Sequence, residues 1–258
     1  LFQFTARIAK ELGIDEAKLE FVASPKYDGV AISLIYENGV LTRALTRGDG
    51  FAGEDVTANV KTIRNIPLTI SSDLLAPELV EVRGEILILN ADFIRLNQKQ
   101  AESGGKLYAN PRNLAAGSIR QLDSGITASR PLRFYAYALA QYSNGGFTSF
   151  KQELDFLQSV GFSIAKECEL LQGNVALSNY YQQMMNCRNE LSFGIDGVVY
   201  KLNLIVEQQR LGFVARAPRF AIAYKFPALE VESEILAIDV QVGRTGALTP
   251  VARIKPVN

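Results

Sequence analysis

The spacing of apolar positions along this chain changes several times, and each change marks an element. From Phe4 to Leu12 the spacing is helical, with Ile8 and Leu12 on one face and Gly13 as the stop. Val30–Tyr36 and Val40–Arg47 flank Asn38-Gly39, a dipeptide that supplies the positive φ of a tight hairpin. Leu79 to Leu89 alternates. Val80, Val82, Gly84, Ile86 and Ile88 share one face, and Glu81, Arg83 and Glu85 share the other. A helix follows over about Asp92 to Ser103, closed by Gly104-Gly105, and Pro111 opens another. Arg133–Ala140 is a strand with Tyr135 and Tyr137 on one side.

Ser149 to Val160 has an amphipathic pattern, and Gln152 three residues after Ser149 completes a capping box. Helices are expected over about Ser178 to Leu191 and Leu204–Leu211. Between them the strand Ile195–Leu202 puts Val199 and Lys201 on one face. In Phe220–Phe226 the bulky residues Phe220, Ile222, Tyr224 and Phe226 oppose the small side, Ala221, Ala223 and Lys225. A lysine beside two alanines leaves space on its own face, which suits a ligand better than a packed core. Strands interleaved with helices, without repeats or low-complexity tracts, predict an α+β fold with mostly antiparallel sheets.

Composition narrows the chemistry. The chain has 258 residues, 48% hydrophobic, and 27 charges of each sign, so it is no obvious nucleic-acid glove unless a basic patch is local. No apolar run approaches the roughly 20 residues that span a membrane. Two cysteines, Cys168 and Cys187, form no metal spacing, and a reducing cytosolic setting is the default. The chain has no histidine, which removes Ser-His-Asp and Cys-His catalysis and His-ligated metals. It begins without methionine and closes on Lys255-Pro256-Val257-Asn258, so we expect a piece of a longer protein.

The chain is organised around Ser24-Pro25-Lys26-Tyr27-Asp28-Gly29, which runs straight into the strand at Val30. Alone, a lysine two residues before Asp-Gly is either a solvated turn lysine or a nucleophile at a pocket floor. The alternations decide. They point Lys26, Arg47, Glu85, Lys201 and Lys225 inward, with Arg112, and offer Tyr137 and Val199 as aromatic and apolar walls. Arg47 opens a glycine-rich turn, Arg47-Gly48-Asp49-Gly50, whose backbone can approach a ligand. Arg112 and Arg120 lie near one helical face beside Asn113 and Gln121. They read either as surface arginines or as phosphate binders. Such a cationic pocket with one carboxylate suits a nucleotide: base on a ring, ribose on the carboxylate, phosphate on the cations. Clustered positive charge would also favour the neutral amine of Lys26 and make it nucleophilic without a histidine base.

Four motifs in order, K-x-D-G (Lys26–Gly29), E-x-R-G-E (Glu81–Glu85), D-G-V-V-x-K (Asp196–Lys201) and Y-K-F-P (Tyr224–Pro227), resemble the nucleotidyltransferase series of polynucleotide ligases and capping enzymes. Thr46–Asn59, Ala109–Asp123 and Val242–Arg253 narrow the resemblance to bacterial NAD-dependent DNA ligases, over nearly the whole chain. The resemblance implies a nucleotidyltransferase (ATP-grasp-like) fold. It implies that Lys26 attacks the adenylyl phosphorus of NAD to form lysyl-AMP. The AMP then passes to the 5′-phosphate of nicked double-stranded DNA, and the 3′-hydroxyl displaces it with Mg²⁺. By motif position Glu85 holds the ribose, Lys201 the adenine edge, and Tyr137 and Val199 the faces of the base. Arg47 and Lys225 serve ribose and phosphate; Arg112, Arg120 and Arg188 serve phosphate or DNA. Ser24, Tyr27, Asp28 and Gly29 complete the nucleotide site, and no residue is assigned to a metal.

The resemblance also implies a cytoplasmic bacterial enzyme of DNA replication and repair, monomeric, working with further ligase domains in the same polypeptide. Residues 1–20 would end an N-terminal helical module, 21–240 form the adenylation domain, and 241–258 a linker and the start of an OB-fold. Two positions depart from the family pattern. Ser24 stands where glutamate is usual, with shorter reach and no charge, and Gly194 where an acidic residue is common. Two other readings remain: an ATP-using ligase or capping-type nucleotidyltransferase, and a nucleotide- or DNA-binding module without catalysis.

Overall fold

The computed structural model describes residues 1–48, 53–70, 77–215, 217–228 and 230–257. They form two compact units, 1–226 and 227–258. The first opens with α1 (Phe2–Leu12), a single 3₁₀ turn (Glu16–Lys18), and the strands β1 (Glu20–Tyr27), β2 (Val30–Glu37) and β3 (Val40–Thr46). Then come α2 (Thr57–Val60), β4 (Leu79–Ile88), α3 (Asn90–Glu102), α4 (Pro111–Ile119), α5 (Ser124–Ala128), β5 (Leu132–Tyr142) and α6 (Phe150–Ser159). It closes with β6 (Glu169–Gln172), α7 (Gly173–Cys187), β7 (Ile195–Leu202), α8 (Ile205–Leu211), the two-residue strands β8 (Phe213–Val214) and β9 (Ala217–Pro218), and β10 (Ala221–Lys225). The second unit holds an antiparallel hairpin of β11 (Ile235–Val242) and β12 (Leu248–Ile254). No helix among the described residues is long and apolar enough to cross a membrane.

Two four-stranded sheets make up the first unit, ordered β10-β7-β1-β6 and β3-β2-β4-β5. All their described pairings are antiparallel. The β2–β3 turn is built as the Asn-Gly pair predicts: Asn38 and Gly39 have φ of 49° and 77°. Helix ends follow local chemistry as well. Gly13 takes the left-handed conformation that stops α1, and Asn110 caps α4 by accepting from the Asn113 amide. Ser149 accepts from Gln152 N–H, but the Gln152 side chain reaches back one residue further than a capping box requires, to Thr148 N–H.

One expected helix is displaced. α7 runs from Gly173 to Cys187 rather than from Ser178 to Leu191. Its buried repeat is Leu177, Tyr180 and Met184, which seats it against the first sheet. Leu191 leaves that stripe and packs instead with Tyr27 and Phe193. The short strand β6, with no periodicity of its own, exists by pairing with β1.

Each sheet hides one face. Behind the first lie Phe21, Ala23, Val198, Tyr200 and Leu202, buried with residues of α1, α7 and α8. Behind the second, Ile32, Leu34, Val82, Ile86 and Phe134 pack with Val60, Leu114, Ile119 and Leu157. The opposite faces carry the polar motif residues. Gly84, at the centre of the second sheet, has no space for a side chain: a Cβ there would sit 2.2 Å from the Phe134 ring and 2.4 Å from the Tyr135 carbonyl. Gly84→Ala should therefore cost at least about 3 kcal/mol of stability, the upper range for overpacking a core. Denaturant unfolding checks this, and a loss under 1 kcal/mol would show that β4 and β5 are less tightly apposed.

Candidate nucleotide-binding site

The register of three strands places the motif residues in ranks. Lys26 on β1 lies opposite Gly197 on β7, which lies opposite Lys225 on β10. The next rank is Ser24, Val199 and Ala223, and the third is Val22, Lys201 and Ala221. Directly paired residues of antiparallel strands point to the same side, so these nine positions share one face. It is closed at Val22, which is 1% exposed, and open at Lys26 and Lys225, whose flanks reach solvent. Gly197 lets β10 approach: a Cβ there would fall 2.5 Å from the Tyr224 carbonyl.

Lys26 Nζ donates to both carboxylate oxygens of Asp196, at 2.7 and 2.8 Å. Asp196 carries no assigned role in the sequence reading, although its motif does. Its placement comes from a β-bulge. Lys26 pairs with Gly197 and Tyr27 with Ile195, which leaves Asp196 as the extra residue, re-aimed toward the lysine. The expected setting of clustered cations around Lys26 is thereby corrected, because an anion sits directly on it. The signal for this was the Asp-Gly dipeptide of the third motif, once paired against Lys26-Tyr27.

Beyond Tyr27 the chain leaves the first sheet and enters the second through Asp28-Gly29. Asp28 N–H donates to the Gly194 carbonyl at 3.0 Å, and Arg112 Nη1 donates to Asp28 Oδ1 at 2.8 Å. Gly29 runs against β4 so closely that a Cβ would lie 2.4 Å from the Ile86 carbonyl and 2.8 Å from Glu85 Cγ. Its amide donates to the Glu85 carboxylate. Burial pushes Glu85 up to about 7, while Arg112, Lys26 and the Gly29 amide pull it back down. Lys26, Asp28, Glu85, Arg112 and Asp196 are thus one electrostatic group.

Tyr137 stands beside that group. It sits where the β4–β5 register shifts between Arg83 and Gly84, and its hydroxyl is pushed up to about 12 by burial and by Glu85, with Arg83 and Arg47 opposing. Arg47 itself is exposed just after β3, and Gly48 after it has φ 54°. Asp49 and Gly50 of that turn lie outside the described residues. Tyr27 points away from the Lys26 face; it is buried against Tyr135 and Phe193, with ring centroids 5.6 and 5.4 Å away.

Three other expected residues sit apart from the group. Arg120 caps α4 and pairs with Glu54 at 2.7 Å, so the two arginines of that helix serve different carboxylates. Arg188 is the half-buried C-cap of α7. Lys201 shares the Lys26 face, yet its ammonium lies 3.7 Å above the Phe150 ring centroid. Burial lowers Lys201 to about 8, with Glu153 opposing that fall and Arg83 adding to it. No periodicity signals Phe150 or Glu153 as neighbours of Lys201, since they belong to a helix 48 or more residues away in sequence.

The family model for the NAD-dependent DNA ligase adenylation domain matches residues 1–229. The DNA ligase of Neisseria gonorrhoeae strain NCCP11945 is 52% identical over 262 residues, covering 100% of this chain and 31% of that protein. The DNA ligase of Neisseria meningitidis serogroup C / serotype 2a strain FAM18 is 51% identical over 259 residues, covering 100% of this chain and 30% of its own length. This chain therefore spans about a third of the relatives it matches. A solved structure described as "Pmar-Lig_Pre." superposes with a TM-score of 0.50 at 11% identity, over 96% of this chain and 54% of its own, a likeness of fold. The architecture is the expected α+β nucleotidyltransferase fold with antiparallel sheets, and the chain belongs to the family of NAD-dependent DNA ligase adenylation domains.

Proposed function

We propose that this domain transfers the adenylyl group of NAD to Lys26, as the first step in sealing 5′-phosphate/3′-hydroxyl nicks in duplex DNA. The observation that carries the reading is the Lys26 rank: a lysine in contact with a carboxylate, at the open end of a face lined by Ser24, Val199, Ala223 and Lys225. Attack forms an Nζ–P bond and breaks the P–O bond to the departing nicotinamide mononucleotide. The amine must shed a proton as it attacks, and Asp196 is the acceptor already hydrogen-bonded to it.

Val199 and Tyr137 suit the two faces of the base, and the Ser24 hydroxyl offers a short polar contact beside Val199. Glu85, once ionised, accepts ribose hydroxyls; Arg47, Arg112 and Lys225 supply positive charge for phosphate. Arg120 and Arg188, outside the lysine group, are assigned to phosphate or DNA. Among the described residues no group of three or more acidic or cysteine side chains is placed to hold a metal ion. Mg²⁺ would therefore take most of its ligands from phosphates and water. The DNA partner, the work in replication and repair, and the cytoplasmic setting follow from this reading. So does the division into 1–20, 21–240 and 241–258, with the flanking pieces joining further domains of the same polypeptide.

The test uses adenylyl-labelled NAD with a polypeptide extended to the relatives' length. Label should remain covalently on the parent protein and vanish in Lys26→Ala, with nick sealing lost by at least about 10³-fold. Label from ATP in place of NAD would overturn the choice of donor. DNA binding that falls steeply with salt, without any labelling, would favour a binding module instead.

Glu85 gives a second expected outcome. Because the folded carboxyl titrates near 7 against an ordinary 4.5, the folded state holds its proton more tightly than the unfolded chain does. Stability contributed by this group therefore falls as pH rises from about 4.5 to 7, and Glu85→Gln should flatten that slope. Nucleotide binding should move the other way. AMP affinity, followed by thermal shift on the chain itself, should rise about tenfold from pH 5.5 to pH 8 as the acceptor ionises. If Glu85→Gln keeps the full rise, Glu85 is not the ribose acceptor.

A further inference from the structure

Lys201 is held in an unusual way for a ligand-face lysine. Its ammonium rests 3.7 Å above the centre of the Phe150 ring and 5.9 Å from that of Phe220, and among the described residues it forms no ion pair with a carboxylate. Phe150 is 4% exposed, so that ring face is sheltered from water. One turn further along α6, Glu153 presents a carboxylate whose Oε2 is buried without a hydrogen-bond partner. Burial raises the Glu153 carboxyl, and the charge of Lys201 is what pulls it back. Arg83 is the other charge acting on the lysine.

The first turn of α6 has little freedom to be elsewhere. Phe150 N–H donates to the Asn203 carbonyl at 2.7 Å, Lys151 N–H to Asn203 Oδ1 at 3.1 Å, and Ile205 N–H to the Thr148 carbonyl at 3.0 Å. Asn203 is in turn bound to the start of β1 through the Glu20 carbonyl. A helix packed on β5 is thereby fastened to the chain two residues past Lys201. An ammonium taken from water needs compensation. A sheltered aromatic face supplies part of it, and the Glu153 carboxylate adds to it, although burial still outweighs the two.

We infer that Phe150 and Glu153 are positioning residues for Lys201: the first turn of α6 keeps its ammonium charged and stationed beside the Val199 wall, where it donates to a hydrogen-bond acceptor on the edge of the bound base. This rests on the reading of that face as the base site. Glu153 acts at a distance on the charge of the lysine, and Phe150 acts on its place. Neither touches the nucleotide. The arrangement selects for a base whose edge accepts a hydrogen bond, and it weakens when the lysine loses its proton.

The experiment is an NMR pH titration of ¹³C-lysine-labelled chain, with the Lys201 signal assigned by its loss in Lys201→Arg. AMP affinity is measured in parallel at pH 6.5 and pH 8. Glu153→Gln, nearly the same shape, should lower the Lys201 midpoint by about one pH unit, as expected for removing a neighbouring opposite charge. Its AMP affinity should fall about fivefold relative to the parent at pH 8 and little at pH 6.5, where the lysine is charged in both. Phe150→Leu should lower the midpoint too, and Phe150→Tyr should restore it.

An unchanged Lys201 midpoint in Glu153→Gln, or an equal loss of affinity at both pH values, would mean that α6 is merely structural and would overturn the inference. Failure of the base-site reading has a different signature. In that case Lys201→Ala leaves AMP affinity unchanged at pH 6.5, whatever the titration shows.

Discussion

Everything at this site depends on how closely the chain passes itself at Gly29. Here β1 of one sheet becomes β2 of the other, and the backbone runs so near β4 that no Cβ fits against the Ile86 carbonyl. That approach delivers the Gly29 amide to Glu85 and leaves Lys26 one step back on the first sheet, facing the same space. Asp28, between them, is fastened on one side to the Gly194 carbonyl and on the other to Arg112. A side chain at Gly29 would push β4 away, and Lys26, Glu85 and Arg112 would separate together.

Around this joint, irregularities in the ladders aim the side chains. A regular antiparallel pairing would have put Asp196 on the buried side of β7, behind the lysine it serves. The bulge opposite Lys26-Tyr27 turns it forward. A register shift between β4 and β5 likewise leaves Tyr137 beside Glu85 rather than in a regular pair. The price is local pairing, and it is small because both hidden faces keep their apolar residues in the two main cores.

Charge is managed by pairing and partial burial. Lys26 and Arg112 each hold a carboxylate, while Glu85 is buried enough to titrate near 7 and Lys201 enough to titrate near 8. A nucleotide entering the site would bring phosphate to cations that must loosen their present partners. It would bring hydroxyls to a carboxylate that is only partly ionised near neutrality. On the proposed reading, the Glu85 carboxyl makes binding depend on pH without a histidine.

The alternation of Leu79–Ile88, the Asn38-Gly39 turn, the Gly13 stop and the Ser149 cap are set by local physics, and the sequence alone determined them. It also determined which residues of β7 and β10 share a side, because period-2 alternation tells this once a strand exists, whereas β1 as a strand came only from the structure. The ordered motifs identified the family. Tertiary structure decided what local rules cannot carry. The start of α7 depends on which apolar stripe finds the first sheet, and β6 exists only as a partner to β1. Asp196 meets Lys26 across 170 residues through a bulge whose position follows from register. Phe150 meets Lys201, and Glu153 acts on its charge, because Asn203 fastens a distant helix to the end of β7. Contacts of this kind are properties of two segments at once, and no periodicity within either one records them.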